Sequence, residues 1–354
     1  MREKARVLVT ASGTIVAQGI IKSLRLASSD EGAPAYRVVA ADMSAQAVGL
    51  YRGDLGVLVP PALAPDYIDS IINVCKEERI DAIFVGAEEE LPYLSAQRKR
   101  IEEDTGAVVL INPAEVISVG TDKWRTFEFL KANGLPCADS ALPRDREVFV
   151  RQHGYPVVVK PREGHGSVHF YRAESSGEID EAMTAIKLAG WRPILQENLP
   201  DETQEFTAGV TIEKGGKRVM SSIAMRRTLK GGQTYRALID DFPKVRKSAE
   251  EVATRLGARG AVNIQSRMVE GEPKAFEINP RFSASCPMRA VAGVNEPDIT
   301  FRNAVLGEKI KVEGYKKMIC MRYWNEVYVP VAEYEQMERG RRLKGSTSFI
   351  QGYF

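Results

Sequence analysis

The chain has 354 residues, 44% of them hydrophobic, and its 49 basic and 47 acidic residues leave a formal charge of +2. One hydrophobic core stops growing at roughly 250–300 residues, so two or three packed lobes are expected, and the balanced charge argues against a nucleic-acid partner. The four cysteines (Cys75, Cys137, Cys286, Cys320) are widely spaced and lack metal-ligand spacing, which suits free thiols and a cytoplasmic location.

At the start, ARVLVTA reads as a β-branched strand, Gly13 as a turn, and IVAQGIIKSLRLA as a crossover helix. Ser12, Gly13, Thr14 and Gln18 interrupt the apolar residues there, so no signal peptide is expected. YRVVAADM repeats the strand and ends near Asp42; a helix over 66–80, IDAIFVGA and GAVVLINP follow. Strands alternating with helices predict a parallel, doubly wound lobe over residues 1–117. No segment reaches the roughly 18 apolar residues of a membrane span, and no membrane association is expected.

After Pro113 the texture changes. TDKWRTFEFLKANGLP reads as a capped helix ending at Gly134, and YPVVVKPREGHGSVHFYRA as two strands joined by a glycine loop. With a helix around 178–189 these predict a second lobe over 118–190. The remainder, 191–354, predicts a third: PILQENLP, alternating strands with a KGGK turn over 205–233, a helix over 248–260, and a hairpin over 261–280. Residues after about 308 read as strands packed on this last lobe.

The hairpin AVNIQSRMVEGEPKAFEINP carries the sharpest chemical signal. Side chains alternate across a strand, so Asn263 and Gln265 share a face, as do Glu277 and Asn279. A turn centred on Gly271 sets Gln265 opposite Glu277 and Asn263 opposite Asn279. Such a patch is either a set of oxygen ligands for a hard cation such as Mg²⁺, which takes one or two carboxylates and completes its shell with phosphate and water, or a solvated sheet face. Arg281, two residues on, is placed to meet phosphate oxygens. In KPREGHGS, Gly164 and Gly166 let backbone amides approach phosphates, while Lys160 and Arg162 supply charge; a basic hairpin tip is the alternative. His165 in that loop is a candidate for phosphate or substrate contact, whereas His153 and His169 show no partners for a zinc or base role.

Read in order, the lysine helix, the strand-lysine-glycine loop, the hinge LQENLPDETQEFT and the NIQ…FEINPRFS hairpin resemble the ATP-grasp superfamily. Within it, the chain is similar to the synthetase units of the carbamoyl phosphate synthetase large chain and to carboxylate–amine ligases, over at least residues 5–300. The resemblance implies an α/β ATP-grasp fold in which the parallel-sheet (pre-ATP-grasp) lobe is followed by two α+β lobes clamping ATP. It implies that Lys123 and Lys160 contact ATP phosphates, that Gln196, Glu197, Asn198 and Leu199 hold adenine, and that Glu205 binds ribose. Gln265, Glu277 and Asn279 would ligate two Mg²⁺ ions, with Mn²⁺ able to substitute, and Arg281 would stabilise the transferring phosphoryl group. One departure matters, for the first metal ligand of the family is often a carboxylate and here is Gln265.

The implied reaction activates a carboxylate as an acyl phosphate, which an amine-type nucleophile then converts to an amide, with the 118–190 lobe as a lid against water. Substrate selection is expected from Ser12–Thr14, Glu88–Glu90, the basic stretch 225–236, and Arg289, which is also a catalytic candidate. A homodimer is compatible with this reading. Rival readings are an NAD(P)-dependent reductase, with Asp42 on a ribose, and a non-catalytic ATP-binding regulator; wrong glycine spacing opposes the first, and retention of the lysines and the FEINPR residues opposes the second.

Overall fold

The computed structural model describes residues 5–28, 34–164, 166, 168–200 and 204–352. Its first sheet runs in the order Arg342–Lys344, Leu55–Leu58, Tyr36–Asp42, Ala5–Val9, Ala82–Phe84, Val108–Leu110. Every neighbouring pair is parallel except the one formed by the C-terminal strand. Because successive side chains of a strand point to opposite faces, Leu8 enters one core with the helix Tyr67–Glu78, while Val7 and Val9 enter another with the helix Ile15–Ala27. Burying an aliphatic side chain of this kind contributes about 1.5–3 kcal/mol. The lobe is doubly wound, as expected.

Two strands of this sheet were not anticipated. Leu55–Leu58 is only four residues long and holds Gly56, whose added Cβ would lie 2.5 Å from Leu50 O, so close packing, not β-propensity, sets its place. The other is Arg342–Lys344. The tail beyond 308, expected wholly on the last lobe, divides between two. Met318–Met321 pairs with Gln233–Ile239 in the last sheet, but Met337 and Leu343 pack against Ala47, Leu50 and Tyr51 of the first lobe. Short strands with few apolar residues carry too little local pattern to declare which sheet they will join.

The second sheet is small and antiparallel, ordered Ser140–Ala141, Pro193–Glu197, Val157–Pro161, Tyr171–Ala173, and the helix Ser176–Leu188 packs on it. The third is a six-stranded antiparallel sheet, ordered Glu272–Asn279, Gly260–Val269, Glu205–Ile212, Val219–Lys230, Gln233–Ile239, Met318–Met321. Its far face is covered by the helix Pro243–Arg255.

Asn112 locks the first lobe to the third. Its amide nitrogen donates to Ala261 O (2.8 Å) and Pro280 O (3.0 Å), and its oxygen accepts from Arg259 N at 2.8 Å. The small sheet is stitched to the hairpin as well, since Ala138 N donates to Ala275 O and Ala275 N to Pro136 O. No helix among the described residues is long and apolar enough to cross a membrane.

Candidate active site

The hairpin reaches the expected pairing by an unexpected route. Glu270 and Gly271 both have positive φ (49° and 81°), the pattern of a two-residue type I′ turn, which pairs Val269 with Glu272. Continued without interruption, that register would set Gln265 opposite Phe276. An irregularity between Gln265 and Ser266 shifts it by one residue, so Gln265 faces Glu277 and Asn263 faces Asn279.

Glu277 is the centre of a hydrogen-bonded circuit. Its Oε1 accepts from Gln265 Nε2 at 3.2 Å and from Asn279 Nδ2 at 2.9 Å. Arg227 Nη2 donates to Gln265 Oε1 at 2.8 Å, and Arg281 Nη2 to Asn279 Oδ1 at 2.7 Å. A guanidinium only donates, so the two arginines fix both amides with their oxygens outward and their nitrogens on Glu277. Burial opposes ionisation of Glu277, but Lys123, Lys160, the Asn279 amide and Arg227 outweigh it and hold the carboxyl below its ordinary value.

Asn263 has a different fate. Its oxygen is taken by Arg289 Nη2 (2.6 Å) and Thr207 Oγ1 (2.8 Å), which draws it into the interior. Arg289 itself is 0% exposed and pairs with Glu296 at 3.1 Å. Expected as a catalytic or substrate-selecting residue, it is buried beneath the sheet and does not line the cavity described below. The helix-forming stretch around it gave no hint of that depth, because its acidic partner comes from a different helix.

A cavity of about 520 Å³ lies between the small sheet and the third sheet. Lys123, Lys160, Gly164, Gly166, Gln196, Glu197, Asn198, Leu199, Glu205, Gln265 and Glu277 all line it, from six separate stretches of sequence. Asn279 and Arg281 stand behind this lining, reaching it through the circuit, and Arg281 lies 3.1 Å from Glu88 of the first lobe. His165 lies outside the described residues.

The two lysines are held differently. Lys160 is 6% exposed; its Nζ donates to Gln196 Oε1 at 2.8 Å and lies 5.7 Å from the centre of the Phe276 ring. Burial, with Lys123 nearby, pulls its pKa down to about 7 despite Glu277 and Glu205. Lys123 opens the helix Lys123–Ala132 and donates to Gly164 O at 2.7 Å, which ties the glycine loop to the helix. That helix is capped by Asp122, whose Oδ1 accepts from Trp124 N and Arg125 N.

Arg162, expected to supply charge for phosphates, is engaged within the protein. It forms a two-point pair with Asp122 (2.7 and 2.6 Å) and fastens the loop to the helix cap. Burial works against the Asp122 charge, but Arg162 and the two backbone amides prevail, and the carboxyl lies below its ordinary value. At the loop tip Gly166 has φ +74°, and a Cβ on Gly232 would stand 2.3 Å from Gly166 O, so the loop meets the turn of the third sheet.

Several expected side chains are already engaged. Gln196 serves Lys160 and donates to Ser140 Oγ (3.1 Å); Glu197 accepts from Asp139 N (2.9 Å) and Lys274 Nζ (3.1 Å). Glu205 accepts from Arg227 and, at 3.1 Å, from Arg267. The run Glu88–Glu90 splits: Glu88 pairs with Arg281, Glu89 lines the cavity, and Glu90 is buried on Thr10 Oγ1 and Tyr67 Oη. Thr14 caps the first helix through Ala17 N. His153, expected to lack partners, lies 3.6 Å from Asp139 and 3.9 Å from Glu197.

Arg227 and Phe276 were missed. Arg227 was seen only as part of a basic stretch, although strand alternation separates it from Arg226, which is exposed. Phe276 enters the cavity at the register shift, which no pattern of residue types announces.

The residue types suit a hard divalent cation: one carboxylate and two amides, whose oxygens are held here by Arg227 and Arg281. Among the described residues no group of three or more His, Cys, Asp and Glu side chains could hold a metal by itself. Asp42, the ribose candidate of the reductase reading, has its oxygens on Gly13 N (2.8 Å) and Ser44 N (3.0 Å), bracing its own loop.

These lobes and this cavity define the ATP-grasp fold. Residues 193–327 match the family described as ATP-grasp in the biosynthetic pathway with Ter operon. Residues 7–110 match the PylC-like N-terminal domain. Among curated proteins the chain is similar to the carbamoyl phosphate synthase large chain of Vibrio cholerae, 23% identical over 283 residues. That match covers 75% of this chain and 26% of the relative, so the chain spans about a quarter of its length.

Among solved structures, N5-carboxyaminoimidazole synthetase from Staphylococcus aureus, complexed with ADP, superposes with a TM-score of 0.71 at 15% identity, covering 91% of this chain and 83% of that one. The biotin carboxylase domain of Hydrogenobacter thermophilus 2-oxoglutarate carboxylase, in complex with MgADP and bicarbonate, gives 0.67 at 18% identity, with 88% and 72% covered. At these identities the likeness is one of fold.

Proposed function

We propose that this chain is an ATP-dependent ligase that joins a small-molecule carboxylate to an amine-type nucleophile, releasing ADP and phosphate. The observation that carries the reading is the meeting in one cavity of two lysines from the lid side with the ionised Glu277 of the hairpin. Cations at one wall and a cation-binding carboxylate at the other are what a polyphosphate needs.

In this reading Lys123 and Lys160 bind the ATP phosphates, and the loop at Gly164 and Gly166 presents backbone amides to them. Val158, Leu199 and Phe276 supply the apolar walls for adenine. Gln265, Glu277 and Asn279 would hold Mg²⁺, which when bound neutralises charge on the phosphate oxygens. Arg281, beside Glu88, offers its guanidinium to charge at the transferring phosphoryl group.

The substrate carboxylate oxygen attacks the γ-phosphorus, and the bond from that phosphorus to the β–γ bridging oxygen breaks, leaving ADP with the electron pair. The amine nitrogen then attacks the acyl carbon, phosphate departs with the acyl-oxygen electron pair, and the amine loses a proton to solvent or phosphate. Between the steps the lid, meeting Gly232, keeps water from the mixed anhydride.

The test is ADP release by wild type and Glu277→Ala across a panel of amino and sugar acids with ammonia or amines. Carboxylate-dependent ADP and phosphate release by wild type, lost in the variant with its fold retained, is expected. Undiminished turnover by Glu277→Ala would remove the metal assignment. Nucleotide binding without carboxylate-dependent release would favour the regulatory reading, and stabilisation by NAD(P)H in place of Mg-ATP the reductase.

A further inference from the structure

Arg227 is bonded to more of the cavity wall than its place in a basic stretch suggests. Its Nη2 donates to Gln265 Oε1 at 2.8 Å and to Glu205 Oε1 at 2.8 Å; Nε reaches the same Glu205 oxygen at 3.0 Å, and Nη1 reaches Thr234 Oγ1 at 3.3 Å. The side chain is 7% exposed, and that edge lines the cavity. Gln265 has one atom able to ligate a cation, its oxygen, and Arg227 holds it. The nitrogen, which cannot ligate, is the atom on Glu277.

We infer that Arg227 is the positioning residue that makes cation binding conditional on nucleotide, by exchanging the Gln265 oxygen for a phosphate oxygen. This rests on the proposed ATP and Mg²⁺ chemistry. A phosphate is an anionic acceptor and competes well against a neutral amide for a guanidinium fork. When it takes the Nη2 donor, the Gln265 oxygen is released to the ion that the phosphate carries. A cation arriving alone meets an engaged oxygen and an adjacent positive charge. Asn279 is held in the same manner by Arg281, but Arg227 is the one of the two arginines that lines the cavity beside Gln265, so the exchange at Gln265 falls to Arg227.

The experiment measures Mn²⁺ binding to the full chain by electron paramagnetic resonance, with and without a saturating non-hydrolysable ATP analogue, and corrects for Mn²⁺ bound to free analogue. The analogue is expected to tighten Mn²⁺ binding to wild type by about tenfold or more. Arg227→Met should bind Mn²⁺ alone more tightly and lose most of that coupling. Arg227→Lys keeps the charge but cannot span Glu205 and Gln265 together, and should lose the coupling too.

Both variants leave Glu205 its bond from Arg267, and thermal unfolding checks that they fold; if the methionine variant does not, the lysine variant decides. Wild-type coupling retained in Arg227→Lys would overturn the inference, because charge alone would then suffice. Equal Mn²⁺ affinity of wild type with and without analogue would overturn it as well. Failure of wild type to bind the analogue at all would instead sink the proposed function.

Discussion

Replacing Lys160 by methionine should stabilise the resting protein near neutral pH, against the usual effect of removing a buried hydrogen bond. The folded pKa is about 7 and the ordinary value 10.5. Below pH 7 both folded and unfolded states carry the proton, and the full cost of burying the ammonium is present. Between pH 7 and 10.5 the unfolded chain holds more protons, so wild-type stability rises with pH across that window, by up to ~1.4 kcal/mol per unit and about 5 kcal/mol in all.

Methionine has no such cost, but it leaves Gln196 Oε1 without its 2.8 Å donor, a loss of about 1–3 kcal/mol. The net is roughly 2–4 kcal/mol in favour of the variant near pH 6.5, declining through zero and reversing by about pH 10. Urea unfolding of both proteins without nucleotide, at several pH values from 6 to 10, measures it. Parallel pH profiles would refute the reasoning, because they would mean that Lys160 does not titrate in the folded state below its ordinary range.

Two further outcomes follow from the same geometry. Binding of Mg-ATP should restore the proton to Lys160, so calorimetry in buffers of different ionisation enthalpy should find an uptake near 0.9 proton at about pH 8, absent from Lys160→Met; buffer-independent heats would contradict it. Arg289→Ala should lower stability by about 3–5 kcal/mol, because it strands Glu296 in the core. A variant that melts with wild type yet has lost turnover would return Arg289 to the chemistry.

The strongly periodic segments were legible in the sequence, because their cores are local statements. The β-branched run in Ala5–Val9 and the capped helix at Lys123 follow from residue type and end chemistry. The polar face of FEIN was legible too, and its partner residues came out right although the turn is centred between Glu270 and Gly271, not on Gly271. What sequence could not supply depends on contacts between distant segments: the register shift at Phe276, the depth of Arg289, and the diversion of Arg162 to Asp122. Arg227 illustrates the limit. Its residue type was visible, but its role depends on three strands lying side by side, Glu205–Ile212, Val219–Lys230 and Gly260–Val269.

The return of Arg342–Lys344 to the first sheet has a mechanical consequence. The backbone leaves that sheet, crosses the small sheet, builds the six-stranded one and comes back, so the outer two bodies are joined by covalent chain at both ends of the circuit. They behave as a closed frame that resists being pulled apart. The small sheet hangs inside it on two strands of chain, pinned near Ala138 and Ala275, with its glycine tip against the turn at Gly232. The Asn112 clasp keeps the hairpin in fixed relation to the first sheet.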